Sequence, residues 1–334
     1  MTKRRNTPAF PVQAGVLLIL LLLAAVLGLA FGSTRLTLQQ VLYGLFSRDI
    51  TAVEVQILRL VRLPRVAACL VAGAGLSLSG LLLQTAANNP LAGPNIIGVN
   101  AGAGFAMALT MCLAPMASRL VPLAAFGGAL LCTVLILLVA DRAGGSRVTI
   151  VLAGVAVTTL LSAGISLLKL VFPDLALSYH YFSVGGVSGV TMSQLALPAV
   201  LILMCLLAAW LLSPRLNLLC LGDPLAQSLG VRVKALRFLT LLLASASAAA
   251  AVSFAGLLGF VGLMVPHMAR RLLGSGNLRK LIPVSIMLGG SLVILADLLG
   301  RVLFAPSEVP AGIITAFIGA PFFFVLLLRR RDRL

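Results

Sequence analysis

The chain has 334 residues, of which 60% are apolar and only 10% charged, and its mean hydropathy is +1.14. Soluble domains carry about 25% charged residues, so there is too little polar surface here to coat a globule in water. The 25 Lys and Arg against eight Asp and Glu give a net charge of +17, which in such an apolar chain reads as basic loops of a membrane protein and not as a nucleic-acid surface.

Roughly 200 apolar side chains, at about 20 residues for each helical crossing, allow about ten spans. Taken in order, apolar segments bounded by Pro, Gly or charge fall at 13–32, 64–84, 95–115, 120–140 and 149–171, then at 192–212, 238–254, 257–271, 281–300 and 311–328. The first follows Lys3-Arg4-Arg5 and has the flavour of a signal peptide. Its apolar run is long for an h-region and no small-x-small cleavage site follows, so it is expected to stay as a span. The expectation is an all-α polytopic membrane protein, a single transmembrane domain over 1–334, with both termini on one side.

The distribution of cations orients it. Ten spans with the termini inside leave Arg35, Arg48, Arg59, Arg62, Arg65, Arg119, Lys169 and Arg301 outside and the other seventeen basic residues inside. That bias predicts cytoplasmic termini. Five of the outer eight crowd into the first external loop, against the trend.

Four polar clusters interrupt the apolar sequence. Arg62-Leu63-Pro64-Arg65, with Arg59 one turn earlier, sits at the outer mouth of the second span. Guanidiniums there would pair carboxylates of an external partner bidentately, or simply snorkel to the lipid headgroups; both readings stand. Asn88-Asn89-Pro90-Leu91-Ala92-Gly93-Pro94 follows on the cytoplasmic side. Two prolines in five residues break the helix, and backbone freed in this way must face protein or water, which suits a gate as well as a tight loop. Next comes Gly222-Asp223-Pro224-Leu225-Ala226-Gln227-Ser228-Leu229-Gly230, followed at once by Arg232, Lys234 and Arg237. Asp223 suits a helix N-cap, Pro224 the first helical position and Gly230 a left-handed end, giving a helix of one or two turns with Leu225 and Leu229 on one face. A docking helix or a structured turn would both look like this. Last, Arg301 and Glu308-Val309-Pro310-Ala311-Gly312 lie outside, with Asp297 one turn before Arg301, so Arg301 either joins the outer arginines or pairs locally with Asp297.

A faint repeat accompanies these clusters. Residues 77–98 slid onto 253–274 match at six of 22 positions, among them Gly80/Gly256 and Pro90/Pro266. The offset is an odd number of spans, so the copies would be inverted in the membrane, as in many transporters. No GxxxxGK[ST] appears, so the chain has no phosphate-cradling loop of its own. The five cysteines lack CxxC spacing, and His180 and His267 lack metal-ligand company. With so few ionisable residues within spans, a proton- or sodium-driven carrier is the weaker reading. An intramembrane enzyme has no paired carboxylates, Ser/His pair or HExxH to support it.

These clusters, in this order and spacing, resemble the FecCD or BtuC-like permease family of bacterial iron–siderophore and cobalamin ABC importers. The resemblance runs from Arg62 to Phe323 through RLPR at 62–65, NPLAGPNIIGVNAGAG at 89–104, LGDPLAQSLGV at 221–231, GFVGLMVPHMAR at 259–270, ADLLGR at 296–301 and EVPAGIITAFIGAPFF at 308–323. It implies a type II importer permease in the bacterial cytoplasmic (inner) membrane. Such a permease pairs with an identical chain or a related permease, with two cytoplasmic ATP-binding subunits and with an extracytoplasmic substrate-binding protein. No catalytic residue, metal or cofactor is implied for this chain, since ATP and Mg would sit on the partner ATPase. Gly222, Asp223, Leu225, Ala226, Leu229 and Gly230 would form the coupling helix, Arg62, Arg65 and Arg301 would meet acidic residues of the binding protein, and Asn89, Pro90 and Leu91 would lie at the cytoplasmic gate. Asn88 stands where a charged residue is frequent and Gly93 where an acidic or small polar one is usual, so no ion pair is implied at that gate. The run Ser178–Gly186 replaces a more usual Trp-x-x-Gly-Ser. The implied cargo is an iron–siderophore chelate, with haem or cobalamin as alternatives, moved by alternating access.

Overall fold

Helices account for nearly all of the described chain because a backbone surrounded by lipid must satisfy its own hydrogen bonds. The computed structural model describes residues 10–32, 37–47, 52–144 and 147–331. In order the helices are α1 (Phe10–Ala30), α2 (Leu38–Phe46), α3 (Val53–Gln56), a π-helical turn (Ile57–Arg62) and α4 (Leu63–Ala87). There follow α5 (Val99–Leu113), α6 (Val121–Arg142), α7 (Arg147–Val171), α8 (Leu175–Val184), α9 (Met192–Leu219) and α10 (Asp223–Ser228). The chain ends with α11 (Val233–Ala255), α12 (Val261–Leu273), α13 (Leu278–Val302) and α14 (Ala311–Arg331). No strand occurs among the described residues. Among the described residues, seven helical stretches are long and apolar enough to cross a membrane, and Val99–Leu113 and Ala311–Leu326 are shorter apolar helices. The protein is a multi-pass membrane protein.

Nine of the ten expected spans coincide with helices of 15 to 28 residues. The exception is 257–271. Residues 256–260 leave the helical path, with Phe260 in the left-handed region at φ 64°, and α12 begins only at Val261. Its 13 residues reach about 20 Å at 1.5 Å per residue, short of a bilayer's hydrocarbon core. The same break bears on the repeat. Residues 77–87 are continuous helix in α4, whereas the matched 253–263 contain the break, and Pro90 lies in a loop while Pro266 lies inside α12. At that register the matched residues therefore occupy unlike elements. The sequence also read 33–62 as plain external loop, and it contains α2, α3 and the π turn.

α4 is the axis of the bundle, buried along most of its length, with α13, α11, α12 and α9 packed around it. Its run Ala72-Gly73-Ala74-Gly75 and the alanines of α11 let neighbouring backbones approach closely, which replaces the hydrophobic driving force that lipid does not supply. Ser247 Oγ of α11 donates to the Gly75 carbonyl of α4 at 2.9 Å, one of the interhelical bonds that close approach permits. A Cβ built on Gly80 would overlap the carbonyl of Gly262 in α12. Gly80→Val is therefore expected to force α4 and α12 apart and to lower the thermal midpoint of the purified protein by several degrees, an overpacking cost of about 1–3 kcal/mol. Gly93→Val, at a position with open space around it, is the control; an equal midpoint for both variants would show that the crossing is not tight.

By contrast α1, α7 and α9 leave most of their apolar surface exposed, as helices that face lipid or a second subunit do.

Candidate functional site

The polar clusters gather at opposite ends of the bundle, and α4 runs between them. It starts beside Arg62 and Arg65 and finishes at Gln84 to Ala87. Its 25 residues span about 37 Å at 1.5 Å per residue. The start of α1 lies at the far end too, because Gln13 Nε2 donates to the Leu272 carbonyl at 3.1 Å. α14 begins at the arginine end, where Val309 N donates to the Gly300 carbonyl at 3.1 Å, and runs to the other. The two terminal helices thus open and close at the end that carries the 222–230 segment.

At the arginine end, Arg62, Arg65 and Arg301 are all buried within the chain. This corrects the expectation that they display guanidiniums to an external partner. Arg62 Nη1 donates to the carbonyls of Leu29 and Ala30 at 2.6 and 2.8 Å, and Arg301 donates to Gly28 and Phe31 at 3.2 Å each. These are the last carbonyls of α1, which have no intrahelical donor and carry the negative end of its dipole. Arg59, from the π turn, does the same for α2 through Gly44 at 2.8 Å and Leu45 at 3.0 Å.

Arg65 faces carboxylates instead. Its Nε and Nη2 lie 2.9–3.1 Å from the Asp297 oxygens, and its Nη1 donates to Glu308 Oε2 at 2.8 Å. Arg301 Nε is 3.0 Å from Asp297 Oδ2. Asp297, 1% exposed, is therefore shared by two arginines from α4 and α13. The two sequence readings of Arg301 merge: it pairs locally with Asp297 and also joins the arginine cluster.

At the opposite end, α10 forms where the sequence placed it, with Gly222 as N-cap at φ 101°, Pro224 in the first turn and Gly230 at φ 81° after the helix. Asp223 is not the cap. Its Oδ1 accepts from Arg237 Nη2 of α11 at 2.6 Å. Ala226 is fully buried against the bundle, whereas Leu225 and Leu229 are 49% and 53% exposed. Two neighbouring leucines thus face outward from a short helix rimmed by exposed Arg232 and Lys234.

The gate segment lies at this same end. Asn88 caps α4 in the left-handed conformation at φ 46°, Asn89 N donates to the Gln84 carbonyl at 3.1 Å, and Asn89 Oδ1 accepts from Leu91 N at 3.0 Å. Asn89 and Pro90 are exposed and Leu91 half-buried. Three groups from other helices converge on this end of α4. Arg237 Nε donates to the Ala86 carbonyl at 3.2 Å, Arg270 of α12 donates to Gln84 Oε1, and Gln84 Nε2 donates to the Leu263 carbonyl at 3.2 Å. The sequence singled out neither Gln84 nor Arg270, which lie 186 residues apart; a lone Gln in the apolar run before Asn88 was the one local signal.

The Ser178–Gly186 run forms most of α8 and its end. It docks on the break between α11 and α12, with Leu257 N donating to the Phe182 carbonyl at 2.9 Å and Gly186 N to the Ala255 carbonyl at 2.8 Å. Lys169 Nζ stands 5.1 Å from the centre of the Tyr179 ring. His267 packs edge-on against Phe322, and no group of three His, Cys, Asp or Glu that could hold a metal occurs among the described residues.

The chain is 34% identical over 327 residues to the Fe(3+)-citrate import system permease protein YfmE of Bacillus subtilis, covering 98% of this chain and 97% of the relative. It is 37% identical over 320 residues to the ferric enterobactin transport system permease protein FepD of Escherichia coli, covering 95% of each. A solved ABC transporter of the metal-chelate type, in an inward-facing conformation, superimposes with a TM-score of 0.83 at 33% identity, over 96% of this chain and 99% of that one. With the FecCD transport family matching residues 19–329, the chain belongs to that family of transport permeases.

Proposed function

We propose that this chain is the membrane-spanning subunit of an ATP-driven importer that carries ferric siderophores inward by alternating access. The observation that carries the reading is the pair Leu225 and Leu229, exposed on a short helix at the end of the bundle opposite the arginine cluster. Two outward leucines rimmed by cations suit a groove on a soluble partner, and a partner that hydrolyses ATP could push there. In this reading the chain is one transmembrane domain crossing the bilayer ten times, the crossing at 256–273 being made by the non-helical residues 256–260 together with the short α12, with the termini and α10 in the cytoplasm. ATP and Mg stay on two separate ATPase subunits. A second permease copy, identical or related, covers exposed apolar surface, and a substrate-binding protein delivers the chelate at the arginine end. Arg62, Arg65 and Arg301 shape that end from within, so the contacts to the binding protein fall on the surface above them. Asn89, Pro90 and Leu91 form the inner gate.

Ferric chelates are favoured because the relatives named above handle Fe(3+)-citrate and ferric enterobactin. Uptake of radiolabelled ferric citrate, ferric enterobactin, a ferric hydroxamate, haem and cobalamin should be compared in cells lacking this gene, with and without a plasmid copy. Loss and rescue of one ferric siderophore is the expected result. Rescue of haem or cobalamin alone would overturn the cargo and keep the importer; normal uptake of every one would overturn the cargo class altogether.

A further inference from the structure

The far end of α4 and the 223–228 helix are joined through one side chain. Arg237 lies near the start of α11, largely buried, and uses two different nitrogens on two different elements. Nη2 binds the Asp223 carboxylate at 2.6 Å and Nε donates to the Ala86 carbonyl at 3.2 Å. Ala86 is two residues before Asn88, where the chain turns into the gate segment.

We propose that Arg237 is a positioning residue that ties the 223–228 helix to the gate, so that a displacement of that helix is passed to residues 88–91. The inference rests on the reading of 223–230 as the helix an ATPase pushes. Its physical basis is the planar guanidinium. A fork with fixed angles between its N–H groups holds two acceptors at a set separation, whereas an ammonium on a flexible stem holds one at a time. The Ala86 carbonyl belongs to the last turn of α4, where a cation supplies the donor that the helix lacks. Moving Asp223 therefore either drags Arg237 off that carbonyl or moves the helix end with it. A small open pocket of about 60 Å³ lies beside the gate segment, where the helix end could shift, lined by Ala86, Asn89, Ala92, Ile150, Leu241 and Arg237 itself. The other brace on this helix end, Arg270 to Gln84, comes from α12, whereas Arg237 reaches both the 223–228 helix and the end of α4.

The test uses the full chain in complex with its ATPase partner, reconstituted in lipid nanodiscs. Amide exchange at 88–92 and at 223–230 is followed before and after addition of ATP and vanadate, for the parent, Arg237→Lys and Arg237→Gln. The parent should show the trapped nucleotide changing exchange in both segments. Arg237→Lys keeps the charge beside Asp223 and should still assemble, hydrolyse ATP and respond at 223–230, while its response at 88–92 falls about tenfold, the worth of one charge-assisted hydrogen bond. A brace with a merely structural role would leave that response intact once the complex had assembled. A full response at 88–92 in Arg237→Lys overturns the proposal and leaves the importer reading untouched. If the parent binds no ATPase, the importer reading fails, and the tie is read on the chain alone: Arg237→Gln should then raise exchange at 88–91 and 223–229 together, and unchanged exchange at 88–91 overturns it.

Discussion

Asp297→Ala is expected to cost about 3–5 kcal/mol of stability, the penalty for removing one partner from a buried ion pair. The carboxylate is 1% exposed and stands between Arg65 and Arg301. Without it two guanidiniums face each other near Arg62, and the remaining acid, Glu308, reaches only Arg65 and is partly exposed. A marginally stable protein does not absorb that loss easily. The thermal midpoint in detergent should fall sharply and much of the protein should aggregate on extraction. Glu308→Gln, which removes a partly exposed partner, should cost about 1 kcal/mol or less. Equal midpoints for Asp297→Ala and the parent would mean that α1's carbonyls suffice to hold Arg62 and Arg301, and Glu308 to hold Arg65. The same geometry changes what a charge reversal of Arg62 or Arg65 can report. Glutamates there would face helix carbonyls or Asp297, so weaker capture of a binding protein by such variants would reflect an altered fold as much as a lost contact.

How much of this was legible in sequence follows from the range of the interactions. The bilayer demands long apolar helices, so composition and Pro, Gly and charge boundaries placed nine apolar segments close to the observed helices. The tenth misled because residues 256–260 are as apolar as a span, and the tertiary contact of Gly256 and Leu257 with Phe182, not local composition, holds the break open. The 223–228 helix was legible because Pro224, Gly222 and Gly230 each impose a local conformation. The partner of Asp223 was not, since Arg237 lies 14 residues on and a first-turn Asp reads equally well as a cap. The arginine cluster shows the same limit more strongly. Clustering in sequence located the right end of the molecule, but Arg65 and Asp297 are 232 residues apart, and nothing local says which way a guanidinium turns.

What turns them inward is a shortage of acids. With 25 basic residues and eight acidic ones, most cations have no carboxylate to meet. A helix C-terminus offers several carbonyls without donors and the negative end of a dipole, so it serves as the counter-charge that the composition lacks. Arg59 on α2, Arg62 and Arg301 on α1 and Arg237 on α4 all use it. The scheme fixes the two ends of the bundle in different ways. At the arginine end Arg62, Arg65, Asp297 and Arg301 are buried and lock α1, α4 and α13 together. At the other end Arg237 shares itself between a helix terminus and a carboxylate on an exposed helix, which leaves that helix held at one edge and open at the other.

Leu225→Asp with Leu229→Asp is expected to abolish association with the ATPase while the subunit still inserts and melts like the parent. Both side chains are half exposed and Ala226 supplies the buried contact of α10, so the fold loses almost nothing when they change. An interface loses a great deal. Central apolar anchors cost about 2 kcal/mol or more each when removed, and a carboxylate driven into their pockets adds its desolvation. Together that is at least about 4 kcal/mol, close to a thousandfold in Kd. Gln227→Ala, on the same short helix, should change binding little. Co-purification from membranes, followed by titration of the ATPase onto the purified subunit, measures both. If the double variant binds with the parent's affinity and supports transport at the parent's rate, the leucine pair is not where ATP-driven motion enters the membrane, and that entry must be sought on other exposed residues at the same end, 143–144 after α6 or the loop after α12.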